Sequence, residues 1–266
     1  MNASQSWRLL RDGAAPGARN MAVDEALLES AAHGMTPTLR FYSWQPHCLS
    51  LGRLQKVLPD AVARAFAQGE SDFDIVRRPT GGRAVWHAHE ITYSLALSLD
   101  QLPADARSVS GAYAWLSAGF ARGLAALGVP IEAAPGGVRA QGPNCFAASA
   151  GCDFLIEGRK LIGAAQCRRD DALLQHGSIL LSIDRQMWQT YAGGPMDSAI
   201  SLGELGLKVE GEAAIERIIG QLCVGLAEQI GADLKRGGLS ETEAERARVL
   251  QKEKYQSARW NREGAG

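Results

Sequence analysis

"DFLIEGRKLIGAAQCRR", residues 153–169, decides the architecture. Two apolar stretches flank the pair Glu157-Gly158, and the whole reads as a hairpin with that pair at its tip. Strands joined by so short a turn run antiparallel, because a parallel pair needs a crossover of about a dozen residues or more. Downstream, "LQHGSILLSI" (174–183) is one more strand. Upstream, "EITYSLALS" (90–98) alternates apolar and polar residues in its first half. "FDIVRRP" (73–79) is a strand running into a turn, and "TLRFYSW" (38–44) and "HCLSLG" (47–52) are strands joined by a Gln-Pro turn.

Helical patterns interleave with these strands. "NMAVDEALLESAA" (20–32) reads as a helix capped by Asn20, with Asp24 and Glu25 placed where the dipole favours acids. In 108–128, Tyr113, Leu116, Phe120, Leu124 and Leu127 fall on one stripe, and Gly128 ends it. A helix over 211–231 carries Ile215, Ile218, Ile219, Leu222 and Leu226, and a charged helix opens with a Ser240-to-Glu243 capping box. The expected class is α/β in the α+β sense: a mixed, mainly antiparallel sheet flanked by helices, not a doubly wound parallel sheet. The expected division is a catalytic domain over 1–239 and a short helical extension over 240–266.

The bulk composition narrows the function. With 266 residues, 46% of them hydrophobic, and a net charge of −1, the chain can bury a sizeable core and lacks the basic footprint of a nucleic-acid or membrane-surface binder. The N-terminal stretch has no apolar signal core, and no apolar run approaches the ~20 residues of a membrane span, which predicts a soluble cytoplasmic protein. Cysteines 48, 145, 152, 167 and 223 are scattered without a C-x-x-C pair, which argues against a disulfide framework and against zinc. No G-x-G-x-x-G follows a strand and no G-x-x-x-x-G-K occurs, so neither a dinucleotide nor a P-loop site is supported.

Two stretches carry chemistry. "RRPTGGRAVWH" (77–87) sets Arg77, Arg78 and Arg83 around a turn in which Gly81 and Gly82 can take positive φ and let a ligand touch backbone. Neighbouring N–H groups there would form an anion-attracting nest. A plain surface hairpin with solvated arginines fits the same residues. His87, on an apolar strand, reads either as a satisfied half-buried side chain or as an acid–base group. In "GPNCFAASAGCDFLIEGRKLIGAAQ" (142–166), Cys145 sits in a loop beside Pro143 and Asn144, and Lys160 lies just past the hairpin tip. A loop folded over the hairpin would bring the ammonium to the thiol and favour thiolate at neutral pH. A buried cysteine and a surface lysine fit the same residues. Cys152 is the rival thiol.

"RRPTGGRAVWHAHEITYS" (77–94) resembles the Arg-Arg, Gly-Gly, Val-x-His signature of the catalytic domain shared by lipoate-protein ligases, octanoyltransferases and biotin ligases. "NMAVDEALL", "TLRFYSWQPHCLSLGRLQ", "EGRKLIGAAQCRR", "LLQHGSILL" and a closing "KY…W" (254–260) match it in the same order. ATP-dependent lipoate ligases typically carry a third turn glycine, here Arg83, and an asparagine where Thr92 stands. Octanoyltransferases of the LipM type are more similar, although Ala88 stands where that family usually has aspartate. The resemblance implies octanoyl transfer from octanoyl-acyl carrier protein to a lysine of a lipoyl domain, such as glycine-cleavage H protein or a 2-oxoacid dehydrogenase E2, through a thioester on Cys145 assisted by Lys160. It implies no cofactor and no metal. It assigns Arg78, Gly81, Gly82, Arg83, His87, Gly163, Ala164 and Gln166 to substrate binding, with the glycines on the acyl chain and carbonyl and the arginines toward the acidic carrier or its phosphopantetheine arm. An ATP-dependent lipoate-protein ligase and an amidotransferase moving octanoyl between lipoyl domains are the alternative activities. A catalytically inactive relative that only binds lipoyl domains or acyl groups is the non-enzymatic one.

Overall fold

The structure, a computed structural model, describes residues 6–69, 71–129, 131–133, 154–194 and 196–264. In chain order the elements are β1 (Trp7–Ala15), α1 (Gly17–Ala32), β2 (Thr38–Trp44), β3 (Cys48–Leu51), α2 (Asp60–Gln68), β4 (Asp74–Arg77), β5 (Val85–His87), β6 (Glu90–Ser98) and α3 (Val109–Ala125). They continue as β7 (Glu132–Ala133), β8 (Phe154–Ile156), β9 (Arg159–Arg169), β10 (Ala172–Leu180), α4 (Arg185–Tyr191), α5 (Glu212–Ile230), β11 (Leu234–Arg236), α6 (Glu241–Leu250), a π-helical turn over Gln251–Tyr255, and α7 (Ala258–Glu263).

Among the described residues, eight strands form one sheet in the order β11-β1-β2-β6-β10-β9-β8-β7, and three form a second in the order β4-β3-β5. In the larger sheet only β1 runs parallel to its neighbours, β2 and β11; the other pairs are antiparallel, as expected. The β8–β9 hairpin turns on Glu157 and Gly158, both at positive φ (50° and 73°), the backbone a two-residue hairpin loop demands. Elsewhere a short connection misleads. The cis Gln45–Pro46 turn carries the chain out of the larger sheet into the smaller one, so β2 and β3 do not pair.

The two faces of the larger sheet differ in chemistry. Leu39 and Phe41 of β2, Ile91, Tyr93, Leu95 and Leu97 of β6, and Leu173 and Ile179 of β10 pack under α3 and α5 in one apolar core. The stripe residues Leu116, Phe120, Leu124, Ile218, Ile219, Leu222 and Leu226 fill that core as their spacing predicts, while Tyr113 is only half-buried. The alternate residues point the other way, under α1: Arg40, Tyr42 and Trp44; Glu90, Thr92 and Ser94; His176 and Ser178. All of these are buried.

Helix α1 corrects its predicted start. It begins at Gly17 after Pro16, and Asn20 is an interior residue whose amide donates to the carbonyls of Ala15 and Ser43. Asp24 and Glu25 are not solvated dipole partners but buried hubs. Asp24 takes Arg40, Tyr42, Ser94 and His176; Glu25 takes Arg169, Lys254 and Tyr255. The capping box on α6 is present, with Ser240 and Glu243 bonded reciprocally. Tyr255 and Trp260 beyond it pack into the apolar cluster around α1.

Candidate active site

A cleft opens where the smaller sheet meets the polar face of the larger one. Its cavity volume is only about 30 Å³, a thin slot well below the about 300–1,000 Å³ of roomy small-molecule sites. Its floor is Gly163, Ala164 and Ala165 of β9 with His176, Gly177 and Ser178 of β10; its walls include Met21, Trp44, Val85, Ser50, Arg78 and His87. Small residues on two adjacent strands leave a slot alongside the backbone, where larger side chains would fill it.

The glycine turn is built against this cleft, and its arginines are not where the sequence suggests. Arg77 is fully buried, donating to the carbonyls of Gly52 (2.7 Å), Gln55 (3.0 Å) and Arg262 (3.0 Å). It ties the loop after β3 to the C-terminal helix. Arg78 is 4% exposed and lines the cleft. Its guanidinium donates to the carbonyls of Gly81 (2.7 Å) and Arg83 (2.8 Å), to the Ser50 carbonyl and Oγ (both 3.2 Å), and to Thr80 Oγ1 (3.1 Å). Neither guanidinium faces outward toward a carrier: a buried cation must be hydrogen-bonded, and backbone carbonyls claim these two. Arg83 is half-buried at the turn. Gly82 sits at φ 92°, and its carbonyl oxygen lies where a Cβ on Gly52 would be, so both glycines are fixed by close backbone approach.

His87 stacks on Trp44, with centroids 4.0 Å apart and planes 18° from parallel. Its Nδ1 lies 2.6 Å from Glu90 Oε1, and its Nε2 lies 2.7 Å from Ser50 Oγ. Glu90 Oε1 also accepts from Thr92 (2.5 Å) and Ser178 (2.8 Å), while Oε2 has no hydrogen-bond partner among the described residues. Burial opposes the Glu90 charge, but the neighbouring His87 and these hydrogen bonds outweigh it and hold the carboxyl below its usual range. His176 repeats the pattern: Nδ1 is 3.2 Å from Asp24 Oδ2, and Nε2 is 2.6 Å from Thr80 Oγ1. Burial pushes its pKa down against the pull of Asp24. His89, expected at the surface, is exposed.

Lys160 is 4% exposed, and its backbone bridges Ser198 and Ile200. It sits beside a bulge: Phe154 pairs with Ile162 and Leu155 with Lys160, which leaves Leu161 unopposed. Leu161 and Ile162, although consecutive, both pack in the α3–α5 core. Lys160 and Gly163 flank them across the bulge; Gly163 lines the cleft, whose described lining does not include Lys160. Gln166 departs from its expected place. Its amide donates to Gln175 (3.2 Å) and its oxygen accepts from Arg168 (3.3 Å); strand alternation puts it on the face away from Ala165 and the cleft.

Cys145 and Cys152 lie outside the described residues. The other cysteines are not poised nucleophiles. Burial raises the Cys48 thiol well above its ordinary pKa, and pushes Cys167 up to about 12 and Cys223 up to about 11. Ala88 is half-buried, packed against the core of the smaller sheet. The sequence reading missed Ser50, Thr80, Glu90 and Asp24 as site residues. The available signal was polar alternation along 90–94, which looks like a solvated strand face until α1 is laid over it.

The lipoyl protein ligase A/B catalytic domain matches residues 16–209. Octanoyltransferase LipM of Kyrpidia tusciae is 37% identical, over 97% of this chain and 98% of its own. That of Symbiobacterium thermophilum is 36% identical, over 96% of this chain and 98% of its own. Among solved structures, a lipoate-protein ligase A bound with ATP superposes with a TM-score of 0.80 at 24% identity, covering 98% of this chain and all of that one (100%), which establishes a shared fold.

Proposed function

The chain belongs to the lipoyl protein ligase A/B catalytic-domain family, and we propose that it is an octanoyltransferase, moving octanoyl from acyl carrier protein to a lysine of a lipoyl domain such as glycine-cleavage H protein or a 2-oxoacid dehydrogenase E2. The observation that carries this reading is the end-to-end match to LipM octanoyltransferases, nearly complete on both chains. The narrow cleft supports it: its glycine and alanine floor suits a slim acyl chain, and its polar end at Arg78 suits a carbonyl.

The carrier-bound acyl group is already a thioester. In the first half-reaction the Cys145 thiolate attacks the acyl carbonyl; a new C–S bond forms, the carrier's C–S bond breaks, and the departing thiolate takes up a proton. In the second, the acceptor lysine amine attacks the same carbonyl, a C–N bond forms, the amine loses a proton, and the Cys145 sulfur leaves. Thioester exchange is near thermoneutral and amide formation is downhill, so no ATP is needed. Lys160 favours the thiolate in the first half and removes the amine's proton in the second. Gly81, Gly82, Gly163 and Ala164 lie along the acyl chain. Arg83, rather than Arg77 or Arg78, meets the acidic carrier or its phosphopantetheine arm.

Intact-mass spectrometry after mixing with octanoyl-acyl carrier protein, without ATP, tests this. One added octanoyl group is expected, and none on Cys145→Ala. A Cys145→Ala protein that still modifies lipoyl domains, or a requirement for ATP, overturns the covalent route in favour of ligase chemistry. Preference for an octanoylated lipoyl domain over the carrier as donor makes it an amidotransferase.

A further inference from the structure

His87 and His176 come from different strands, yet their surroundings are equivalent. Each offers Nδ1 to a buried carboxylate, Glu90 or Asp24, and Nε2 to a hydroxyl, Ser50 or Thr80. Both hydroxyls contact the same guanidinium: Arg78 Nη1 donates to Ser50 Oγ (3.2 Å) and Nε to Thr80 Oγ1 (3.1 Å). Arg78 also donates to the Ser50 carbonyl and, through Nη2, to the carbonyls of Gly81 and Arg83, the two sides of the glycine turn.

We propose that His87 and His176 are positioning residues for the transfer reaction: each orients a hydroxyl that grips Arg78, and Arg78 holds the glycine turn in the shape that meets the acyl carbonyl. The identity of that carbonyl rests on the octanoyl-transfer reading.

Hydrogen-bond direction carries the argument. An ionised carboxylate only accepts, so Nδ1 of each ring bears the proton. In the neutral ring Nε2 is then the acceptor, and Ser50 and Thr80 donate to it. Their oxygens keep lone pairs for the Arg78 N–H groups, which can only donate. Two chains of one polarity therefore run from Arg78 through a hydroxyl and an imidazole to a carboxylate. A histidine whose Nε2 lone pair is occupied and whose Nδ1 proton is held this way is arranged to orient a neighbour, not to shuttle a proton. Protonating either ring would place a second cation one hydroxyl away from Arg78 and deprive the hydroxyl of its acceptor. The charged and titratable groups around the pair are Asp24 from α1, Arg40 and Tyr42 from β2, Glu90 from β6, and Arg78 itself.

The test is a pair of double-mutant cycles on the rate of octanoyl loading from octanoyl-acyl carrier protein. Ser50→Ala and His87→Ala each slow loading by about tenfold, and the double variant is no slower than either single one, because all three break the same chain. Thr80→Val with His176→Ala behaves in the same way. His87→Gln and His176→Gln recover most of the rate, since an amide oxygen can accept from the hydroxyl yet cannot take up a proton at working pH. Wild-type rates in Ser50→Ala and Thr80→Val, multiplying losses in the doubles, or glutamine variants as slow as alanine variants overturn the proposal. Should the alanine replacements of histidine fail to fold, the hydroxyl and glutamine variants decide alone. Should the wild-type protein accept no octanoyl, the functional reading fails, and imidazole 15N NMR judges this inference separately. Each neutral ring is expected to carry its proton on Nδ1; a neutral ring protonated on Nε2 overturns it.

Discussion

The larger sheet is one backbone with two unlike surfaces. Under α3 and α5 its residues are leucine, isoleucine, phenylalanine and tyrosine, packed without much direction. Under α1 the alternate residues are arginine, glutamate, serine, threonine and histidine, equally buried and joined by directional bonds. Burial is the same on both faces; what differs is how stability is obtained. The apolar face gains from area removed from water. The polar face gains little net free energy from each bond and loses heavily when one partner is left alone. It does specify where each side chain stands, which a cleft needs and a core does not.

The hub of the polar face is the sharpest place to break this comparison. Asp24 is fully buried and takes bonds from Arg40 (2.8 Å), Tyr42 (2.8 Å) and Ser94 (2.8 Å) besides His176. Asp24→Ala takes the fully buried carboxylate from Arg40, which keeps Asp12 (2.7 Å) and Asn20, and leaves Tyr42, Ser94 and His176 without that partner; it is expected to cost about 3–5 kcal/mol in urea unfolding. Leu95→Ala, one residue over from Ser94 on the apolar face, is expected to cost about 2–5 kcal/mol through its cavity. The two are separated by pH. The aspartate variant changes the pH dependence of stability; the leucine variant shifts the whole curve and leaves its shape. Parallel curves for both would remove the distinction.

The same contrast explains what could be read from the sequence. Leu116, Phe120, Leu124 and Leu222 repeat at helical spacing, and apolar burial leaves that periodic mark wherever it occurs. The hairpin at Glu157-Gly158 and the Ser240 capping box are local, so a few adjacent residues specify them. The polar face leaves no such mark. Arg40, Ser94 and His176 are ordinary surface residues in one dimension; only the covering helix, itself carrying Asp24, makes them interior. Arg77 and Arg78 mislead for the same reason. Their partners are carbonyls of Gly52, Gln55, Arg262, Ser50, Gly81 and Arg83, and a carbonyl acceptor has no sequence signature. "GAAQ" reads as one lining, whereas strand alternation sends the Gln166 side chain to the far face. Strands β1 and β11 and helices α2 and α4 leave a faint mark in the sequence because they are short, or because, as in β1, the apolar pattern fades after four residues.

His176 sharpens the comparison through protons. Burial lowers its folded pKa, so between that value and the ordinary 6.5 the unfolded chain binds more protons. Stability therefore rises with pH across that window and is lost as pH falls below 6.5. Asp24 and Glu90, with carboxyls held below their ordinary range, add a second loss of the same sign at lower pH. One proton contributes at most about 1.4 kcal/mol per pH unit. In His176→Gln the slope between neutral pH and the carboxylate range is expected to flatten while the steeper acid limb persists. Urea midpoints measured across that range check it, and an unchanged slope assigns the window to another group.

The smallest effect isolates a single bond of the network. Ser94 Oγ donates to Asp24 Oδ1, which also accepts from Arg40. Ser94→Ala therefore leaves no buried group without a partner: it removes only the hydroxyl, and the carboxylate keeps its cation. The expected cost is about 0.5–1.5 kcal/mol, the net worth of one hydrogen bond. Its direction with pH is also fixed. Losing a donor that favours the ionised carboxyl raises the Asp24 pKa, so the acid limb should begin at higher pH in the variant. A loss as large as that of Asp24→Ala would mean the polar face fails as one unit, with Ser94 as essential as the aspartate it serves. A loss of the predicted size, with the acid limb displaced, means that the charges set the stability of this face and the hydroxyls adjust their pKa values.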